Sequence, residues 1–256
     1  MLSSSSSLMA VAAHPDDEAL LFGGVLAQHS AGGARTAVVT VTWAADSRRA
    51  PELAAALDEL GASPPRMLGY ADARDPSSAH GRPRLVDAPL DEAVGHVVRH
   101  VRQFRPDIVV THDALGQLTG HPDHRHTHRI TLLACQAAGL ARLYPEAGAP
   151  CQPRALYAAT HPESGVDELG ALLRSVGKSV LCVPDAYVTT VVDVSEWADV
   201  KWRAILAHQG EVARERSLPG ILARLPEKAR RKIIRTEYFT RLEPGPVPGD
   251  PHHLTI

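Results

Sequence analysis

Leu8-Met9-Ala10-Val11-Ala12-Ala13-His14-Pro15-Asp16-Asp17-Glu18 is the stretch that decides how this chain folds. A short apolar run that stops abruptly at a histidine reads as a buried strand. From Glu18 to His29 apolar residues recur at helical spacing, and Gly32-Gly33 ends the pattern. Strand, tight polar turn, helix is the opening of a βαβ unit. Side chains crowded into that turn stand at the carboxyl end of a strand, where open α/β sheets bind ligands.

The alternation continues outward. Residues 36–42 are β-branched and continuous, as in a strand covered on both faces. Residues 51–60 read as a helix with Pro51 in its first turn and Gly61 after its end. A strand over 66–70, a helix over 89–104, a strand over 107–111 and a helix over 123–140 follow. The second half is less regular, with strands expected over 154–160 and 186–194 and helices over 166–176, 197–208 and 228–239. The pattern predicts an α/β, Rossmann-like three-layer fold with a mostly parallel sheet and a site at the C-terminal ends of its strands. No repeat or internal boundary interrupts the chain, so a single domain is expected over 1–256, with residues 243–256 as an extended tail rich in Pro and Gly. A dinucleotide site is disfavoured: the first turn lacks GxGxxG, and Gly23-Gly24 falls inside the helix.

Composition narrows the partners. At 256 residues and 44% hydrophobic, the chain can bury one extensive core. A net charge of −2 and 4% aromatic residues argue against a nucleic-acid surface. Cys135, Cys151 and Cys182 are widely spaced, without a CxxC pair, so neither a disulfide framework nor a thiolate zinc site is indicated. The start, Met1-Leu2 and five serines, lacks the basic and apolar regions of a signal peptide, and no stretch is long enough to cross a bilayer. A cytoplasmic protein without a membrane partner is expected; assembly of several copies is left open.

The chemistry lies in two segments. His14 and Asp17 are three residues apart at the first turn; Gly120-His121-Pro122-Asp123-His124 follows the strand over 107–111. Two imidazoles and a carboxylate make a catalytic zinc site with an open position, so His14, Asp17 and His124 are the expected ligands. The same set suits Fe2+. His128, four residues after His124, is the rival third ligand. Asp16 is the expected general base for a metal-bound water. His121 is expected to stabilise the tetrahedral oxyanion and to give a proton to the leaving amine, with Asp123 orienting it. Taken alone, Asp17 would be read as a carboxylate favoured by a helix N-terminus. His126 reads as structural, His112-Asp113 as lining behind the ligands, His208 as either a site or a core residue, and His252-His253 as solvated.

The paired motifs, AHPDDE at 13–18 and HPDH at 121–124, resemble those of the PIG-L/LmbE-like N-deacetylases, closest to the actinobacterial mycothiol-related branch. Arg49-Ala-Pro-Glu52-Leu53, Leu60-Gly61, Leu68-Gly69-Tyr70, Lys201 through His208-Gln209 and Glu237-Tyr238-Phe239 are also similar to that family, so the resemblance spans nearly the whole chain. It implies a zinc-dependent hydrolase that removes an N-acetyl or other N-acyl group from an amino-sugar conjugate by attack of metal-bound water on the amide. It also implies the ligand and proton-transfer roles above, with Arg49 and Asp75 as substrate contacts. One position departs: Thr119 stands where close relatives have a tyrosine that assists at the substrate carbonyl, and the loop over 114–118 differs beside it. The substrate is therefore expected to differ from the usual mycothiol precursor. The alternative is a non-catalytic, metal-stabilised sugar-binding protein, which would need neither Asp16 nor His121. A metal phosphoesterase is weaker, because no second carboxylate cluster for a paired-metal site is visible.

Overall fold

β1 (Leu8–Ala12) is central in a seven-stranded sheet because its residues are apolar on both faces. In this computed structural model, which describes residues 5–245, Leu8, Ala10 and Ala12 point into one apolar layer while Met9 and Val11 point into the other. The first layer is filled from α1 (Asp17–Ala31), α2 (Ala50–Glu59) and α6 (Ala198–Ala207), with Phe22, Leu26, Leu53, Leu57 and Ile205 fully or almost fully buried. The second is filled from α3 (Leu90–Phe104) and α4 (Pro122–Ala138), through Val94, Val97, Val101, Ile130 and Ala134. The expected three layers are present.

β2 (Thr36–Thr42), β3 (Arg66–Tyr70), β4 (Ile108–His112) and β5 (Ala155–Thr160) complete the parallel part. β6 (Thr190–Asp193) and β7 (Thr236–Leu242) add an antiparallel edge, giving the order β3-β2-β1-β4-β5-β7-β6. The chain leaves β1 first toward β2 and returns later as β4 on the other side. This reversal opens a crevice beyond the carboxyl ends of β1 and β4, the usual ligand position in such sheets.

The second half departs from the sequence reading in three places. The strand expected over 186–194 shrinks to β6, because only four of its residues find partners, on residues 236–239 of β7. A 3-10 turn over Asp185–Tyr187 precedes it. The helix expected over 228–239 ends early: α9 spans Glu227–Ile234, and β7 begins at Thr236. In Thr236-Glu-Tyr-Phe-Thr240 the alternation of buried Glu237 and Phe239 suits a pleated strand, and pairing with β5 overrides helix continuation. Two short helices, α7 (Gln209–Val212) and α8 (Leu218–Ala223), lie in a stretch without an expected element. The remaining helix, α5, spans Asp167–Ser175. Residues 246–256 of the expected tail, with His252-His253, lie outside the described residues. Among the described residues no helix is long and apolar enough to cross a membrane.

A buried ion pair ties the C-terminal strand to α1. The Lys201 ammonium donates to Glu237 Oε1 at 2.6 Å, and the Glu237 carboxylate also accepts the Gly24 and Val25 N–H groups at 2.7 and 3.0 Å. Both side chains are 2% exposed. Breaking a buried pair on one side leaves an uncompensated charge, which costs about 3–5 kcal/mol. Lys201→Met is expected to lose that much in chemical denaturation, and Lys201→Met/Glu237→Gln to recover part of it. A single variant as stable as wild type would show that the pair does not fasten β7 to α1.

Candidate metal centre and active-site cleft

The first turn separates two adjacent aspartates. His14 and Pro15 leave β1, and Asp16 takes φ 126°, a left-handed value that an L-residue adopts only under constraint. The constraint is visible: the Asp16 N–H donates to Glu18 Oε2 at 2.9 Å, and Glu18 Oε1 accepts from His208 Nε2 at 2.6 Å. Glu18 and His208 are completely buried. The twist sends Asp17 inward, where its Oδ2 accepts the His14 N–H at 2.8 Å, while Asp16 faces the cleft beside Arg49.

His121 caps α4, and Pro122 fits the first helical position, where a missing N–H costs nothing. The helix then presents Asp123 and His124 to the first turn. His14 Nδ1, His124 Nε2 and Asp17 Oδ2 stand 3.1, 3.3 and 3.4 Å from one another. Ligands held tetrahedrally at zinc bond lengths are separated by about 3.3 Å, so this donor set fits the metal. The His124 Nδ1 is buried with no hydrogen-bond partner.

The other nitrogen of His14 is fixed by carboxylates. Nε2 lies 3.1 Å from Asp123 Oδ2 and 3.2 Å from Asp72 Oδ2, the arrangement by which carboxylates orient a ligating imidazole. Burial alone would lower the His14 pKa, but the hydrogen bond to Asp123 and the charges of Asp17 and Asp72 outweigh it and raise it to about 10. Asp123 was expected to orient His121. Its Oδ2 is instead hydrogen-bonded to His14 and to the Ala73 N–H, and His121 Nδ1 is 3.7 Å away.

His121 Nδ1 accepts the Asp123 N–H at 3.2 Å, which leaves Nε2 to carry the proton. Burial, then the nearby charges of His14 and His124, push its pKa down to about 2, so the ring is neutral. Such a ring donates a hydrogen bond well but holds no spare proton for a leaving amine. The Asp16 carboxyl is pushed up to about 6, first by burial and against the pull of Arg49. A carboxyl in that range both takes and returns a proton near neutral pH.

The rival ligand His128 is otherwise engaged: its Nδ1 bonds the His112 carbonyl at 2.9 Å. His112 is closer, with Nε2 3.4 Å from Asp17 Oδ2 and its ring stacked on that of His124. That nitrogen already accepts the Ala13 N–H at 2.9 Å, and burial pushes the ring's pKa down to about 4. His112 therefore backs the cluster. Asp113 holds the loop after β4, accepting the Gln117 N–H and the Thr160 hydroxyl.

The cluster opens into a cleft of about 830 Å³ lined by His14, Asp16, Thr119, His121 and His124 together with Arg49 and Asp75. Arg49 is not displayed to solvent: it is 4% exposed, donates to the Pro15 carbonyl, and pairs with Asp16 at 3.1 Å and Glu211 at 3.6 Å. Asp75 accepts the Ser77 N–H and hydroxyl and so shapes the cleft wall. His126 is buried only in part. Two contributors escaped the sequence reading, Asp72 and Glu211; His208, left open between site and core, reaches the first turn through Glu18. Asp72 lies just past the carboxyl end of β3, so the strand-end rule that found His14 would also have found it.

Comparison with known proteins gives the family. Residues 9–135 match the model of the PIG-L family, described as GlcNAc-PI de-N-acetylase. A Rhodococcus erythropolis protein named 1D-myo-inositol 2-acetamido-2-deoxy-α-D-glucopyranoside deacetylase is 37% identical, over 83% of this chain and 83% of its own. Among solved structures, the N,N'-diacetylchitobiose deacetylase of Pyrococcus horikoshii covers 93% of this chain and 84% of its own at TM-score 0.65 and 17% identity, a likeness of fold. A conserved protein of Thermus thermophilus covers 98% of this chain and 100% of its own at TM-score 0.64 and 25% identity. With both motifs placed in one cleft and relatives at this identity over most of the sequence, the chain belongs to the PIG-L family of N-deacetylases.

Proposed function

We propose that this protein is a zinc-dependent amidase that removes the N-acetyl, or a larger N-acyl, group from an amino-sugar conjugate. The observation that carries the reading is the triangle of His14 Nδ1, His124 Nε2 and Asp17 Oδ2, with Asp16 beside it at the head of the cleft. A bound Zn2+ or Fe2+ supplies a Lewis acid that polarises the amide carbonyl and makes water acidic enough to attack at neutral pH. Asp16 takes the proton of the attacking water at its carboxylate, and Arg49 keeps that carboxylate turned to the cleft. The His121 Nε2–H donates to the carbonyl oxygen as negative charge builds on it. Asp16 then returns its proton to the departing nitrogen, and the products are a carboxylic acid and a free amine. The constrained backbone of Asp16 favours this reading over that of a sugar-binding protein, which has no use for a strained carboxylate.

Assay of the zinc-reconstituted protein with N-acyl glucosamine glycosides, reading liberated amine, tests the proposal; binding without amine release would leave the sugar-binding reading. One zinc per chain is expected, lost in His14→Ala and His124→Ala and kept in His128→Ala. His14 carries two protons in the metal-free protein at pH 7.5, because its pKa is raised to about 10, and Nδ1 must lose its proton to ligate. Zinc titration by calorimetry should therefore release about one proton, seen as a dependence on buffer ionisation enthalpy. Zinc uptake without proton release would mean that His14 is already neutral before the metal binds.

Asp16→Asn should retain zinc while kcat falls by about 10²–10⁴-fold, the usual worth of a general base. In the wild type, activity should fall as pH drops through the Asp16 pKa, because the protonated carboxyl cannot accept. The midpoint should lie at or below 6, since a bound cation pulls the metal-free value of about 6 downward. Zinc content falling in step with activity would make Asp16 a ligand.

Thr119 lines the cleft where a longer phenol stands in close relatives, so a bulkier acyl or aglycone should fit while a polar contact at the carbonyl is lost. Such a contact is worth about 1–3 kcal/mol when nothing replaces it. The wild type should be slow on N-acetylglucosaminyl inositol and faster on a larger conjugate, and Thr119→Tyr should narrow the gap. Preference for the inositol conjugate in the unmodified protein would show that Thr119 does not set the choice.

A further inference from the structure

We propose that the conjugate carries an anionic group, a carboxylate or phosphate, on its non-sugar part, and that Lys178 and Arg74, which line the cleft, bind it. The inference rests on the amidase reading above and names the substrate class within it.

The carboxylates that line the cleft are engaged within the protein. Asp17 and Asp72 face the His14 imidazole, Asp16 and Glu211 share Arg49, Glu211 also takes Arg214 at 2.8 Å, and Asp75 is held by Ser77. The cations are not balanced in the same way. Among the described residues, Lys178, Arg74, Arg48 and Arg216 line the same cleft with no carboxylate within ion-pair distance; Arg216 donates to the Val176 carbonyl and Arg48 lies over the Trp43 ring at 5.3 Å, which leaves Lys178 and Arg74. Lys178 is more than half buried. Burial lowers its pKa, the charges of Arg214 and Arg74 lower it further, and Asp16 and Glu211 offset only part of this. Arg74 lies near enough to His121 for its charge to act on that ring as well. A half-buried ammonium among like charges, facing a cavity, is destabilised until an anion joins it. Arg74 reaches the cleft from the segment after β3, and Lys178 from the segment after α5.

The cleft also fits a conjugate with an apolar part, since Leu20, Leu21, Leu173 and Leu218 line it. N-acetylglucosaminyl inositol, the substrate named for the Rhodococcus erythropolis relative, has no ionised group and would leave Lys178 and Arg74 unpaired.

Three probes test this on the zinc-loaded protein: methyl N-acetyl-α-glucosaminide, its carboxymethyl analogue and N-acetylglucosamine 1-phosphate. At least one anionic probe is expected to exceed the methyl glycoside about tenfold in kcat/KM, with the gain in KM, and to lose that advantage as salt is raised. Which anion leads separates carboxylate from phosphate. In Lys178→Ala/Arg74→Ala the ratio should fall toward one, whereas Lys178→Arg, which keeps the charge, should retain most of it. Equal rates on all three probes would overturn the anion proposal and leave the amidase reading standing. A preference that survives in the double variant would assign the anion to the metal and overturn it too. If no probe releases amine, calorimetric Kd values for N-acetylglucosamine 1-phosphate and the methyl glycoside decide: a tighter phosphate whose advantage needs Lys178 and Arg74 supports the anion site while the amidase reading falls, and equal Kd values overturn the site.

Discussion

Asp16 and Asp17 serve different partners because the backbone between them turns sharply, and the rest of this site follows from how that turn is held. Asp16 at φ 126° occupies a region that costs about 1–3 kcal/mol for a residue with a side chain. Glu18 offsets it by accepting the Asp16 N–H, and Glu18 is itself held by His208 at 2.6 Å in a fully buried contact. Arg49 fixes the same turn from the other side, through the Pro15 carbonyl and the Asp16 carboxylate. The C-terminal half thus acts on chemistry to which it contributes no ligand: His208 at the end of α6 and Glu211 on α7 clamp the first turn through Glu18 and Arg49.

Electrostatics divides the cluster into layers. Asp72 and Asp123 lie behind His14 and keep Nε2 protonated, which leaves Nδ1 to face His124 and Asp17. Without a cation, the favoured state puts a second proton on His14, and that charge in turn keeps His121 neutral. In the proposed metal site, proton and metal would compete for His14 Nδ1, and the carboxylates that raise the pKa of His14 would also strengthen it as a ligand. Arg49 and Asp16 form the next layer out, where a carboxyl near neutrality is useful and a ligand is not needed.

Most of the first half was legible in the sequence because its signals are local. The apolar run of β1 can only be covered on both faces, and the strand order that follows brings 14–18 and 121–124 to one edge. The orientation of Asp123 was not legible: at two residues from His121 it looked like that ring's partner, but α4 turns it toward a histidine more than a hundred residues away. The enclosure of Arg49 was not legible either, because nothing in its neighbourhood shows that Glu211 and Asp16 will surround it. The segment over 228–239 misled for a related reason. Its charged first half is helical by local preference, while Glu237 and Phe239 belong to a sheet because β5 offers an open edge.

The same geometry separates chemistry from recognition along the chain. His14, Asp16 and Asp17 follow β1, Asp72 follows β3, and His121, Asp123 and His124 follow β4, so the reacting groups stand on rigid strand ends and a helix start. The far wall comes instead from residues after α5 and around α7 and α8: Lys178, Arg214, Arg216 and Leu218. Those segments are short helices and connections whose side chains can change without moving a strand. Thr119 lies at the join, in the loop between β4 and α4. A family built in this way can keep one amide-cleaving centre and alter what its cleft accepts by changing the loop before α4 and the wall opposite. In this chain the loop carries the short hydroxyl of Thr119, and the cleft lining combines cations that have no carboxylate partner with leucines.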